Sequence, residues 1–184
     1  MFIQAPGTKG KILSSTTSYT GHIFKVTNNE VQTPDGLTVQ RDLIEHAPAV
    51  ALLAITADDD VLINREYRIG INAEAYALPA GLIDAGETPL QAAKRELEEE
   101  TGYLAQSLTP LCAVRSSEGM TDEVVHLFKA TVDRNQRAAK HFDQDEFVTS
   151  ELVPLKEVLE AVQDGRIASA QSVSAISYYM AFVR

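Results

Sequence analysis

Gly81-Leu-Ile-Asp-Ala-Gly-Glu-Thr-Pro-Leu-Gln-Ala-Ala-Lys-Arg-Glu-Leu-Glu-Glu-Glu-Thr-Gly-Tyr103 reads as loop, helix and turn. Thr88 has the side chain of a helix N-cap, and Gln91 three residues on completes a capping box. Pro89 suits the first helical position, where a missing N–H costs nothing. Leu90, Ala93 and Leu97 recur at helical spacing and predict a buried stripe. Gly102 supplies the left-handed residue that ends the helix.

The opposite face breaks the rules of helix design. Glu96, Glu99 and Glu100 stand three and four residues apart and share a face, with Glu98 beside them. Their mutual repulsion opposes the helix, and the negative end of the helix dipole disfavours anions near the C-terminus. A generic run of Glu is a solvated acidic surface. Here the caps and the apolar stripe obey local rules while one spot violates them, the pattern of a functional site. Clustered carboxylates without Cys or His suit hard cations such as Mg²⁺ or Mn²⁺. Magnesium held by a few carboxylates keeps positions open for substrate phosphates.

Gly81, five residues, Glu87, seven residues, then Arg95-Glu96-Leu97-x-Glu99-Glu100-x-Gly102-Tyr103 resembles the signature of the Nudix hydrolases. Only the last position departs, with Tyr103 where an aliphatic residue is usual. The resemblance implies cleavage of a nucleoside diphosphate linked to another group, using divalent metals on this loop and helix. It implies an α/β (α+β) Nudix fold, a mixed β-sheet sandwiched by helices. It implies metal ligands at Glu96, Glu99, Glu100 and the Ala80 carbonyl, with Glu99 and Arg95 counted among the catalytic residues. Arg95 is expected to orient the glutamates, a role that overlaps with an ordinary i to i+4 pair to Glu99. Glu87 is expected to support the loop by pairing with Arg95, or to bind a further ion.

Composition bounds the rest. The 184 residues suit one domain with a sizeable core. Hydrophobic residues make up 45% and aromatics 7%, ordinary for a soluble globular chain. The net charge of −10 argues against a general nucleic-acid surface, and an acidic enzyme acting on anions needs cations and local arginines. Cys112 is the single cysteine, so no internal disulfide forms, as expected in the cytoplasm. Met1 to Gly10 lacks a basic-then-apolar leader pattern, and no apolar run approaches membrane-spanning length.

Residues 1 to about 16 read as loosely ordered. Ser18 to Val26, Glu30 to Thr33 and Leu37 to His46 read as strands, with turns at Asn28-Asn29 and Pro34-Asp35-Gly36. They resemble the N-terminal antiparallel β-meander of the ADP-ribose and nucleotide-sugar branch. This divides the chain into a meander and dimerisation region, 1–47, and a Nudix hydrolase domain, 48–184. Extra strands on a monomer are the competing reading. Ala49 to Thr56 is a strand buried on both faces, Asp58-Asp59-Asp60 a polar turn, and Val61 to Glu66 the partner strand.

Arg68 matches an arginine that nucleotide-sugar members place near the substrate diphosphate, a job suited to a guanidinium fork. A surface salt bridge is the alternative. Leu108 to Arg115 and Glu123 to Thr131 read as strands. Between them Ser116-Ser117-Glu118-Gly119-Met120-Thr121-Asp122-Glu123 keeps the Ser, Gly and Asp-Glu frame of ADP-ribose-cleaving relatives. Glu118 replaces a proline and Met120 an aromatic. Glu123 matches a residue near the metals or terminal ribose in relatives, with a strand-end charge as the alternative, and Glu118 and Glu123 are both expected to bind substrate.

Val132 to Asp145 reads as a polar surface loop. Relatives keep on such a loop an acidic residue that deprotonates the attacking water. Glu146 is the first candidate, followed by Asp145 and then Asp143. His141 has a suitable pKa for a base, though a lone loop histidine is more often solvated. Phe147 to Val153 reads as a strand, Leu155 to Asp164 as an amphipathic helix, and Ala170 to Val183 as a final helix with Val173, Ile176, Met180 and Tyr179 inward.

The expected reaction is Mg²⁺-dependent hydrolysis, Mn²⁺ serving as a possible substitute, of ADP-ribose or a related nucleoside diphosphate sugar. The products are a nucleoside monophosphate and a sugar phosphate. The alternatives are a GDP-mannose-type or broadly tolerant pyrophosphatase, and a non-catalytic nucleotide-sensing domain. The expected partners are the nucleotide sugar and a second copy of the chain, with no nucleic acid and no membrane.

Overall fold

The computed structural model describes residues 7–138 and 148–184. Two compact units emerge: residues 1–47 with 117–123, and residues 48–116 with 124–184.

The first unit is a three-stranded antiparallel sheet in the order β1-β2-β3, from Lys11–Thr20, Phe24–Gln32 and Thr38–His46. Residues 11–16, expected to be loose, pair with β2 from Lys11↔Gln32 onward. Asn28-Asn29 is not a turn. It lies inside β2, opposite Asp42 and Arg41. The Asn28 amide donates to Asp42 at 2.9 Å, and the buried Asn29 amide to the Thr27 hydroxyl at 3.0 Å. Cross-strand partners thus override the turn preference of Asn. The β1–β2 reversal falls instead at Gly21, whose N–H donates to Phe24 O at 2.8 Å. The turn at residues 34–36 forms as expected, with Gly36 at φ +90°. Within the same unit Ile44 N–H donates to Met120 O, and Asp122 accepts from His46 N–H at 2.9 Å.

The second unit is a mixed sheet between helices, the architecture expected. Its strands are β4 (Ala49–Ile55), β5 (Asp60–Arg68), β6 (Ala73–Ala77), β7 (Ala80–Leu82), β8 (Tyr103–Arg115), β9 (Val124–Arg137) and β10 (Thr149–Pro154). The main order is β10-β5-β4-β9-β8, with β6 beside β5 and β7 beside β4. β4 and β9 run parallel, Ala49 opposite Val125 and Ile55 opposite Thr131. β9 reaches Arg137, so Val132–Arg137, expected to be loop, is ladder; Tyr103 of β8 pairs with Arg137.

Every residue of β4 is buried, and alternation divides its side chains between two cores. Ala49, Ala51, Leu53 and Ile55 pack with Leu155, Val158, Ile176 and Tyr179. These come from α2 (Leu155–Gln163) and α3 (Ala170–Phe182). Val173 and Met180 on α3 are half-buried beside them. Val50, Leu52 and Ala54 pack with Leu62, Ala92, Ala93 and Leu97 on the other face. The last three belong to α1 (Pro89–Thr101). Among the described residues no helix is long and apolar enough to cross a membrane.

Candidate active site on the loop and helix 80–101

Helix α1 starts and stops where its sequence dictates. Thr88 accepts from Gln91 N–H, and Gln91 reaches back to Thr88 N–H at 2.9 Å. Gly102 ends the helix at φ 73°, its N–H donating to Glu98 O at 2.8 Å. The buried stripe is Ala92, Ala93, Leu97, Glu100 and Thr101. Leu90, expected inward, is half exposed. It sits in the first turn, at the N-terminal end of the stripe carried by Ala93 and Leu97, and the small Ala92 and Ala93 let the helix approach the sheet.

The preceding loop is tied to β4. β7 pairs through Ala51↔Ala80 and Val50↔Gly81, and Leu52 N–H donates to Pro79 O at 2.9 Å. From below, Leu78 N–H donates to the buried Ser172 hydroxyl of α3 at 2.9 Å. At Gly81 a Cβ would fall inside contact distance of the Glu96 carboxylate. The constraint there is close approach to the end of the Glu96 side chain, not backbone angle.

Arg95 organises the carboxylates. Its Nε donates to Glu87 Oε1 at 3.0 Å and its Nη2 to Glu87 Oε2 at 2.8 Å, a bidentate fork. Nη1 donates to Glu96 Oε1 at 2.6 Å and Glu99 Oε2 at 3.1 Å, and Nη2 also reaches Leu82 O at 2.9 Å. Glu87 above all, then Glu96 and Glu99, raises the Arg95 pKa against the opposing effect of burial. The same pairing lowers the Glu87 pKa. Glu87 also caps the loop by accepting from Asp84 N–H at 3.2 Å.

Glu100 is held by different partners. It is 6% exposed, and its Oε2 accepts from Asn64 Nδ2 at 2.9 Å and from Ala80 N–H at 3.2 Å. Asn64 lies on β5 and was missed by sequence reasoning. The signal was there: one amide in the apolar run Val61-Leu62-Ile63, on the same face as Leu62.

Arg68, Glu118, Glu123 and the acidic residues before β10 complete the expected set. Arg68, on the exposed end of β5, pairs with Glu66. Glu118 and Glu123 belong to the first unit. Glu118 is exposed in the turn closed by Met120 N–H to Ser117 O at 3.0 Å, and Glu123 stands 3.4 Å from His46 Nδ1. Asp143, Asp145, Glu146 and His141 lie outside the described residues. A recess of about 160 Å³, lined by Ile63, Arg65, Tyr76, Thr149, Glu151 and Val153, opens on the face of β5 opposite Asn64.

The donors fit a hard cation by type, since Glu96, Glu99, Glu100 and the Ala80 carbonyl offer oxygen alone. Among the described residues, no three His, Cys, Asp or Glu side chains stand grouped as a ready-made ion site. Glu96 and Glu99 instead face the Arg95 guanidinium.

A family model described as the NUDIX domain matches residues 45–174. The methanol dehydrogenase activator of Bacillus methanolicus is 33% identical over 168 residues, 91% of each chain. The ADP-ribose pyrophosphatase of Bacillus subtilis (strain 168) is 33% identical over the same coverage. That of Mycobacterium tuberculosis is 32% identical over 165 residues, 89% of this chain and 80% of the relative. A solved structure described as an ADP compounds hydrolase matches with a TM-score of 0.80 at 25% identity, covering 94% of this chain and 93% of that one.

Proposed function

Because the chain belongs to the Nudix family of hydrolases, we propose that it hydrolyses the diphosphate of ADP-ribose. The products are AMP and ribose 5-phosphate. Water adds to one phosphorus, the bridging P–O bond breaks, and the bridging oxygen leaves with the other phosphate. The ADP-ribose pyrophosphatases among its relatives and the ADP-compound enzyme that shares its fold support this substrate. The single observation that carries the chemistry is the arrangement of carboxylates. Arg95 gathers Glu87, Glu96 and Glu99 while Glu100 is placed against Ala80 N–H.

Glu96, Glu99, Glu100 and the Ala80 carbonyl would hold the divalent metal on which the family relies, Mg²⁺ first and Mn²⁺ as substitute. Such an ion, when bound, neutralises diphosphate charge and lowers the pKa of a water. The chain's own residues supply position. Glu87 fixes the Arg95 guanidinium, which aims Glu96 and Glu99, and Gly81 leaves room for the Glu96 carboxylate. Arg68 would leave Glu66 to fork onto the substrate diphosphate. Glu118 and Glu123 would contact substrate, and Glu146 or Asp145 would take the proton from the attacking water.

β1 is exposed along its whole length and carries the apolar Ile12, Leu13 and Tyr19, which supports a homodimer through the N-terminal strands. Burial raises the pKa of the lone Cys112 thiol, consistent with an inert cysteine in the cytoplasm.

The test is a panel of nucleotide sugars incubated with the protein, followed by phosphatase and measurement of released phosphate. ADP-ribose gives the fastest release, and chelation by EDTA abolishes it. Faster release from GDP-mannose, or equal release across the panel, transfers the assignment to the broader pyrophosphatase reading. Calorimetric binding of nucleotide in saturating Mg²⁺ without turnover leaves a sensing domain.

A further inference from the structure

β5 is a core strand, and position 64 lies inside it. Asn64 is 1% exposed and sits between Ala77 of β6 and Ser150 of β10 in the ladder. Its face of the strand is the one on which Leu62 packs against α1. An aliphatic side chain is the expected occupant, because burying an amide is costly unless its polar atoms are all bonded. They are not all bonded. Nδ2 donates to Glu100 Oε2 at 2.9 Å, while Oδ1 is buried with no hydrogen-bond partner among the described residues. Turning the amide round would set the acceptor Oδ1 against Glu100 Oε2, which itself accepts from Ala80 N–H at 3.2 Å. An unsatisfied oxygen tolerated in a core strand marks the other end of the amide as the reason the residue is there.

We propose that Asn64 is a positioning residue, which with Ala80 N–H holds the Glu100 carboxylate so that it meets a divalent cation in a fixed orientation. This rests on the reading of Glu100 as an ion-holding residue given above. Both donors are neutral, so they orient the carboxylate without cancelling its charge. Arg95 does the opposite at Glu96 and Glu99, where it brings a full positive charge. A lysine at position 64 would compete with the cation, and a leucine would leave the carboxylate buried without its amide donor. Partners of this kind behind a ligand are worth about 10–100-fold in metal affinity.

The experiment measures Mn²⁺ binding by electron paramagnetic resonance on purified protein without substrate, alongside thermal melts. It compares wild type, Asn64→Leu, Asn64→Ser, Asn64→Gln, Glu100→Gln and the double variant Asn64→Leu/Glu100→Gln. The expected result is a Mn²⁺ dissociation constant raised about 10–100-fold in folded Asn64→Leu and Asn64→Ser. Asn64→Gln, which keeps an amide donor, recovers part of the loss. Unchanged Mn²⁺ affinity in either folded variant, with affinity lost in Glu100→Gln, overturns the role of Asn64 alone. Unchanged affinity in Glu100→Gln overturns the ion-holding reading beneath it. Should both single variants fail to fold, a double variant that folds supports the inference, because the donor is then needed only while the carboxylate is present. A double variant that also fails to fold reduces Asn64 to a packing residue and overturns it.

Discussion

Helix α1 fully buries Ala92, Ala93 and Leu97 and surrounds them with polar side chains that hold one another: Thr88 with Gln91, Arg95 with Glu87, Glu96 and Glu99, Glu100 with Asn64. In the β1–β2–β3 sheet the only fully buried residues among those described are Thr27 and Asn29, both polar. Ile12, Leu13, Tyr19 and Phe24 of the sheet and Ile23 in its first turn are exposed, and Leu43 and Ile44 are half-buried. A three-stranded sheet needs a buried apolar face to stand alone. The helix termini are thus specified by local capping, while the three-stranded sheet holds little buried apolar surface of its own. The two regions differ in whether their side chains already satisfy one another.

The most severe test of the helix side is Glu100→Gln. Turnover of ADP-ribose falls about 100–1,000-fold with the circular-dichroism spectrum retained. Wild-type turnover would remove Glu100 from the site. Gly81→Ala comes next. The new methyl group displaces the end of the flexible Glu96 side chain rather than backbone, so the protein folds and kcat falls about 10–100-fold. A folded variant with normal kcat would show that the glycine is not needed for the placement of Glu96.

Arg95→Lys keeps the charge but loses the fork to Glu87. It lowers Tm by roughly 3–6 °C at neutral pH. The pH dependence has a definite sign. The Glu87 pKa lies below its ordinary value of 4.5 in the folded protein. The stabilisation from the pair is therefore fully present above about pH 4.5 and is lost as pH falls through the lower folded value. Wild type minus Arg95→Lys should show a Tm difference that shrinks on acidification over that window. A difference independent of pH would assign the effect to packing of the Arg95 stem.

On the sheet side the smallest effect is expected. Tyr19→Lys shifts the light-scattering mass from dimer toward monomer and leaves Mn²⁺ binding within about twofold, because its change lies outside the residues proposed to hold the ion. A mass already monomeric in the wild type would break the association half of the contrast.

Legibility in the sequence followed the same division. The caps of α1 are local, so Thr88, Gln91 and Gly102 could be read from spacing. β4 and β5 were legible from their apolar runs, and Glu87 with Arg95 from the signature. Asn28-Asn29 was misread because its partners, Asp42 and Arg41, are distant in sequence and no turn propensity records them. Leu90 was misplaced because a periodic stripe does not say where along the helix burial begins, and the first turn stays exposed while Ala93 and Leu97 are buried. Val132–Arg137 looked like loop because a strand's polar outer half has no apolar period. Asn64 escaped because its partner Glu100 lies 36 positions away.

The parallel pairing of β4 with β9 has a consequence for synthesis. On the ribosome, Ala49–Ile55 emerges as an apolar stretch about 75 residues before the strand that will flank it. At ordinary elongation rates that is a wait of roughly 4–15 s, far longer than a hairpin needs to close. Until β9 arrives, the nascent chain carries one side of its central strand bare. Its yield in a cell should therefore respond to translation speed and to holding chaperones more steeply than the melting temperature of the finished protein would suggest.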